Sequence, residues 1–244
     1  MQLILDFGNT FQKCAVFDRE NMISDIKFEK ICLNDIVDYT NRFSGIKSCI
    51  LSSVMNTPKE IIDYLNHKFE FIELNSKSLI PITNKYSTPD TLGKDRLAAA
   101  VAVCKLAKGK AALSIDIGTA IKFDLVNSDK EYLGGSISPG LFLRFKSLHT
   151  FTAKLPLVNY NNIHELIGND TETSILSGVM NGAIAEVNAF IEEYKNEFKG
   201  LKIFITGGES IYFENHIKSD IFVISNLVLL GLNEILKFNE AKFR

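Results

Sequence analysis

Apolar and polar positions along the chain fall into short blocks that predict strands and helices in succession. Leu3 to Leu5 and Lys13 to Phe17 are brief β-prone runs joined by the turn-rich Asp6-Phe7-Gly8-Asn9-Thr10, where Gly8 and Asn9 tolerate positive φ. Residues 31–43 predict a helix and residues 48–54 a buried strand. Thr57 suits an N-cap with Pro58 at the first helical position of a helix over 59–69, and Phe69 to Leu74 predicts another strand. Residues 75–93 are rich in Ser, Thr, Asn and Pro and predict an ordered loop. Asp95 to Lys108 is Ala- and Leu-rich, acidic at its start and basic at its end, which predicts a helix. Strands are expected at Ala111–Asp116, Ile121–Asn127, Tyr132–Ile137 and Ile203–Thr206, the last ending in Gly207-Gly208. Thr171 to Phe198 predicts one long helix or two abutting ones, with Ser174, Gly178 and Gly182 spaced for close packing, and Ser225 to Lys237 a closing helix.

Two stretches repeat one pattern. Residues 3–18 and 113–127 both read strand, Asp-x-Gly, Thr, strand, with Asp6 against Asp116 and Gly8 against Gly118. The offset is about half the chain and the apolar runs match on both sides, so an internal duplication of an α/β unit is expected. The boundary falls near Gly109, giving domains at 1–109 and 110–244.

Composition narrows the class without choosing a chemistry. Of 244 residues, 46% are apolar and 23% charged, a balance that argues against disorder. A net charge of −2 offers no general attraction to nucleic acid or an anionic membrane, so neither is expected as a partner. The N-terminus reaches Asp6 at once with no basic lead, and no apolar run approaches the roughly 20 residues of a membrane span. Cys14, Cys32, Cys49 and Cys104 are widely spaced, which favours isolated thiols over disulfides or zinc and makes the cytoplasm the expected compartment.

Glycine turns between strands are the candidate chemistry. Successive backbone N–H groups in such a turn form a nest for phosphate oxygens. At 6–13, Asp6 would orient hydrated Mg²⁺, Thr10 could donate a hydroxyl and Lys13 offers a point charge, although a plain hairpin turn with a capping Asp has the same sequence. A second turn at Asp116 to Thr119 favours two clasps on one nucleotide, and Gly207-Gly208 adds a third close backbone approach. Asp95 at a helix start reads as a cap, at a position where the helix dipole stabilises a carboxylate. Arg96 suits a carboxylate substrate through bidentate hydrogen bonds, or a surface ion pair, and Tyr86 could simply pack in its loop.

These turns, in this order, resemble the actin, sugar-kinase and Hsp70 superfamily, and within it the type III pantothenate kinases. The pattern runs through DFGNTFQK at 6–13, TPDTLGKDR at 88–96, DIGTA at 116–120, GGSISPGL at 134–141, TAKLPLV at 152–158, IGNDTETSILSG at 167–178 and ITGG at 205–208. The resemblance implies an α/β fold of two duplicated actin-like (ribonuclease H-like) domains with ATP in the cleft between them. It implies that Asp6, Phe7, Gly8, Asn9, Thr10, Phe11, Gln12 and Lys13 form the ATP phosphate loop, with Thr119 a second ATP contact. Asp116 matches the ligand of a monovalent cation, K⁺ or NH₄⁺. Gly93, Lys94, Asp95 and Arg96 occupy the substrate motif, Asp95 matching the proton acceptor, and Tyr86 and Thr171 fall where the family contacts pantothenate. A homodimer is implied as well.

The expected reaction is transfer of the ATP γ-phosphoryl group to the primary hydroxyl of pantothenate, giving 4′-phosphopantothenate, the first step of coenzyme A biosynthesis. Two other readings keep the fold: a kinase for another small hydroxylated acceptor, and a non-catalytic ligand-binding homologue. Loss of Asp6, Asp95 or Asp116 would mark the latter, and all three are present. Two departures stand out. Lys94 replaces the family's usual Ala, and Ile121-Lys122 replaces a usual Thr pair.

Overall fold

The computed structural model describes residues 1–160 and 165–242. Its contacts divide the chain into two compact units, Met1–Leu106 with Leu227–Arg244, and Ala107–Asn226.

In the first unit β1 (Gln2–Phe7), β2 (Gln12–Asp18) and β3 (Asn21–Phe28) form an antiparallel meander. Helix α1 (Leu33–Thr40) leads to β4 (Ser48–Ser53), which lies parallel to β1, and α2 (Lys59–Lys68) leads to β5 (Glu70–Glu73), parallel to β4. The sheet order is β3-β2-β1-β4-β5. Leu3, Ile4 and Leu5 are all fully buried, as a strand covered on both faces requires. On one face Leu3, Leu5 and Phe7 pack with Ile36 and Tyr39 of α1 and Ile61 and Leu65 of α2. The expected loop over 75–93 holds only a two-residue strand, β6 (Thr83–Asn84), and a single 3₁₀ turn at Pro89–Thr91.

Helix α3 (Lys94–Leu106) has no exposed face through its middle: every residue from Arg96 to Val103 is buried. Such a helix has to be enclosed.

The second unit repeats the plan. Strands β7 (Ala112–Ile117), β8 (Ala120–Val126) and β9 (Glu131–Pro139) form an antiparallel meander. After α4 (Leu141–Thr150) and α5 (Thr171–Glu197), β10 (Lys202–Thr206) runs parallel to β7 and β11 (Phe222–Val223) parallel to β10. Strands β9-β8-β7-β10-β11 thus follow the order and directions of β3-β2-β1-β4-β5, and the duplication expected from sequence is present as topology. It is the two-unit α/β plan of the actin-like, ribonuclease H-like fold. Helix α5 is one helix, capped by the Asp170 carboxylate accepting from the Thr173 N–H at 2.8 Å. It is long and apolar enough to cross a membrane by length and composition, yet Ile175, Val179, Ala183, Val187 and Ile191 are buried in this unit's core with Phe123 and Ile205. The expected close packing at Gly178 and Gly182 is not seen: a Cβ at either would meet nothing within 4 Å.

The chain then returns to the first unit through α6 (Leu227–Lys242). This differs from the single division expected near Gly109, and the reason is steric and apolar. Helix α6 encloses α3 and also contacts β1 and β4. Gly231 lets the two helix backbones touch: a Cβ there would stand 1.8 Å from the Ala98 carbonyl oxygen.

Candidate active site

Asp6 and Asp116 occupy the same place in the two units. Each is the fifth residue of its first strand, half-buried, one residue before the strand ends. Asp6 sits opposite Lys13 on β2 and beside Ser52 on β4, and Asp116 opposite Lys122 on β8 and beside Thr206 on β10. Even the bracing is repeated: the Val54 N–H donates to the Phe7 carbonyl at 3.1 Å, and the Glu209 N–H to the Ile117 carbonyl at 3.0 Å.

The first turn is residues 8–11. The Gly8 N–H donates to the Phe11 carbonyl at 3.0 Å, so this amide closes the turn itself, and Asn9, Thr10 and Phe11 are exposed at its tip. Phe7 is buried in the core. Gln12 is also buried: its Oε1 accepts from the Ile31 N–H at 2.6 Å and its Nε2 lies 2.9 Å from Met55 Sδ. Lys13 faces Lys27 across β2 and β3, and the Lys27 ammonium stands 3.3 Å from the Phe11 ring centroid. Like charges directly opposite on neighbouring strands repel, so an anion placed here is stabilised. Lys27 is not signalled by the sequence pattern, because Ile23 and Ser24 interrupt the apolar alternation of β3, an edge strand.

The second turn is tighter. The Gly118 N–H donates to the Ala120 carbonyl at 3.2 Å, leaving Thr119 exposed at the tip, and the Thr119 carbonyl accepts from the Gly140 N–H at 3.0 Å. Gly207 packs on this turn with φ +100, where a Cβ would stand 2.2 Å from the Ile117 carbonyl oxygen. The next residues anchor the start of α4: Glu209 Oε2 accepts from the Leu141 N–H at 3.1 Å and Oε1 from the Tyr160 hydroxyl at 2.5 Å. Burial, then the neighbouring Glu209, pushes the Tyr160 hydroxyl well above its ordinary range. The pairing of Glu209 with Tyr160 leaves no local signal in the sequence, because it joins positions far apart in the chain.

Lys122 and Asp116 form an ion pair at 2.7 Å, both side chains about four-fifths buried. Its neighbours Ile121 and Phe123 point the other way, fully buried in the core below α5, which fixes Lys122 on the opposite face. Among the described residues, no group of three or more His, Cys, Asp or Glu gathers as metal ligands.

The substrate motif opens α3. Gly93 precedes the helix, and its carbonyl accepts the first bond, from the Leu97 N–H at 3.1 Å. Asp95 is in the first turn, and its Oδ1 would lie 2.6 Å from a Cβ at position 93, so a glycine there leaves the carboxylate its place. Arg96 is buried rather than on the surface, with its guanidinium carbon 5.7 Å from the Tyr86 ring centroid. Tyr86, Gly93, Asp95 and Arg96 are thus held in one unit, with Lys94 half-buried beside them. Thr171 belongs to the second unit, at the exposed start of α5, where it lines a cavity of about 880 Å³ with Arg144, Leu148, Leu155, Asn169 and Gly178.

Comparison with known proteins agrees over the whole length. Residues 2–193 match the family described as type III pantothenate kinase. The type III pantothenate kinase of Christiangramia forsetii is 42% identical over 99% of this chain and 100% of its own. That of Bacteroides fragilis is 39% identical over the same shares. Among solved structures, the activator of the 2-hydroxyisocaproyl-CoA dehydratase from Clostridium difficile with bound ADPNP superposes with a TM-score of 0.55. At 12% identity, over 99% of this chain and 96% of that one, this likeness speaks for the fold alone.

Proposed function

The chain belongs to the type III pantothenate kinase family, and we infer that it transfers the γ-phosphoryl group of ATP to the primary hydroxyl of pantothenate. The product is 4′-phosphopantothenate, on the route to coenzyme A. The observation that carries this reading is the start of α3, where the Asp95 carboxylate and the Arg96 guanidinium near the Tyr86 ring are held by one helix end.

Each group has a role that its chemistry supports. Asp95 accepts the proton of the attacking hydroxyl, a contribution of about 10²–10⁴-fold for a positioned base. Arg96 and Tyr86 take the acceptor's carboxylate end, since a planar guanidinium pairs with two carboxylate oxygens. Gly93 and Lys94 line the same motif, and Thr171 supplies a further pantothenate contact. Asn9, Thr10, Phe11 and Lys13 hold the phosphates of ATP. Lys27 adds charge to that loop, while Phe7, Gly8 and Gln12 set its shape. Thr119 gives a second ATP contact. Mg²⁺ binds through few protein oxygens and keeps most of its water, so the strand-end Asp6 carboxylate fits it, and the metal would neutralise phosphate charge there.

The finer statements belong to the same reading: a cytoplasmic homodimer without nucleic-acid or membrane partners. The open space over Gly178 and Gly182 is compatible with a neighbouring chain, and light scattering tests the dimer. An acceptor panel tests the substrate. Purified protein with ATP and Mg²⁺ is expected to phosphorylate pantothenate and leave sugars untouched, the product being identified by mass. Transfer to a sugar with none to pantothenate would replace this reading with another acceptor, and ATP binding without any transfer would make the chain a binding homologue.

A further inference from the structure

The Asp116–Lys122 pair departs from what the resemblance implies for Asp116, a carboxylate that binds a monovalent cation. Here the carboxylate is already met by a cation belonging to the chain, Lys122 Nζ at 2.7 Å from Oδ2. The contact is built into the fold. Asp116 and Lys122 are directly opposed across β7 and β8, and Ile121 and Phe123 lock β8's other face into the core. A K⁺ ion needs several oxygens in place of its water. Ile121 and Lys122 stand where a Thr pair is usual, and neither side chain offers an oxygen. A K⁺ ion against Asp116 would also lie beside an ammonium in a largely buried setting, where like charges repel more than in water. These side chains do not fit a bound monovalent cation.

We infer that the Lys122 ammonium occupies the electrostatic position of that ion, so that this protein works without K⁺ or NH₄⁺. The unit duplication makes the substitution economical. Lys13 stands opposite Asp6 by strand register in the first hairpin, and Lys122 stands in the same register position opposite Asp116 in the second. The inference rests on the kinase reading above.

The test compares the wild type with Lys122→Thr, Lys122→Gln and Lys122→Arg in choline chloride and in KCl at equal ionic strength. Melting temperature and pantothenate phosphorylation are both recorded. The wild type and Lys122→Arg should show the same rate and Tm in the two salts. In choline, Lys122→Thr and Lys122→Gln should lose about 10²-fold in rate, the scale for removing one preorganised charge-stabilising group. KCl should restore much of that rate in Lys122→Thr, which opens room for the ion, and raise its Tm as a ligand does. A purely structural lysine would give no K⁺-specific rescue. A wild type that needs K⁺ overturns the inference, as does a Lys122→Thr protein that is fully active without it or insensitive to it. If no buffer yields phosphopantothenate, the pantothenate reading fails, and the melting data decide alone. K⁺ stabilising only Lys122→Thr supports the inference, and K⁺ stabilising the wild type equally, or neither protein, overturns it.

Discussion

The guanidinium of Arg96 lies 5.7 Å over the ring of Tyr86, and Arg96 is buried although it sits in the first turn of its helix. The ring holds the planar group by cation–π attraction and limits its rotation. An arginine so fixed is suited to a carboxylate, whereas lysine keeps the charge and loses the two-pronged geometry. Arg96→Lys is therefore expected to raise KM for pantothenate about tenfold, the loss of one hydrogen bond to a charged group. KM for ATP should stay near wild type. Steady-state kinetics with each substrate varied in turn checks both.

Gly93 and Asp95 make a second, independent test of the same corner. A Cβ at position 93 would approach Asp95 Oδ1 to 2.6 Å, and the atom in the way is the far end of a side chain rather than backbone. Gly93→Ala should thus fold with little change in Tm while the carboxylate is pushed aside. A misplacement of about 1 Å in a reacting group can cost about 10²-fold, so kcat should fall toward that scale. Single-turnover rates at saturating ATP measure it.

Stability should depend on the contact between α3 and α6. At Gly231 the obstructing atoms are the carbonyl of Ala98, which cannot move without breaking helix geometry. Gly231→Val is expected to destabilise by about 1–3 kcal/mol or more, as overpacking does. Thermal unfolding followed by circular dichroism reads the shift.

The thiols differ by burial. Desolvation raises the Cys14 and Cys49 thiols far above the ordinary value of 9.0, with the Asp35 charge adding to Cys14. Both should stay inert to a thiol reagent in the native protein at mildly alkaline pH, while exposed Cys32 labels first. The sign for stability follows from proton binding. Above pH 9 the unfolded chain loses these protons and the folded chain keeps them, so stability should fall as pH rises past that value. Mass-resolved labelling with and without denaturant, and a pH series of melts, check the two statements.

Much of this was legible from residue order. The repeated Asp-x-Gly segments announced a duplication that reappears in matching sheet order, and Asp95 opens a helix as its neighbours predicted. Strand β3 was hidden because its polar positions face inward at Ser24 and its apolar Ile23 faces out. Helix α4 was hidden by Phe142 and Phe145, residues equally at home in strands. The membership of α6 could not be read locally, since it depends on Gly231 meeting Ala98 across the chain. Lys122 was visible as a change of residue type, but its partner was not, because that pairing is a matter of strand register.

In the proposed reaction Asp95 takes the proton from pantothenate's hydroxyl as the phosphoryl group arrives. The direct measurement is the rate of 4′-phosphopantothenate formation by the wild type and by Asp95→Asn, alongside ATP affinity for each. In the variant kcat is expected to fall by about 10²–10⁴-fold, with ATP binding nearly unchanged. A variant that turns over at the wild-type rate would contradict it.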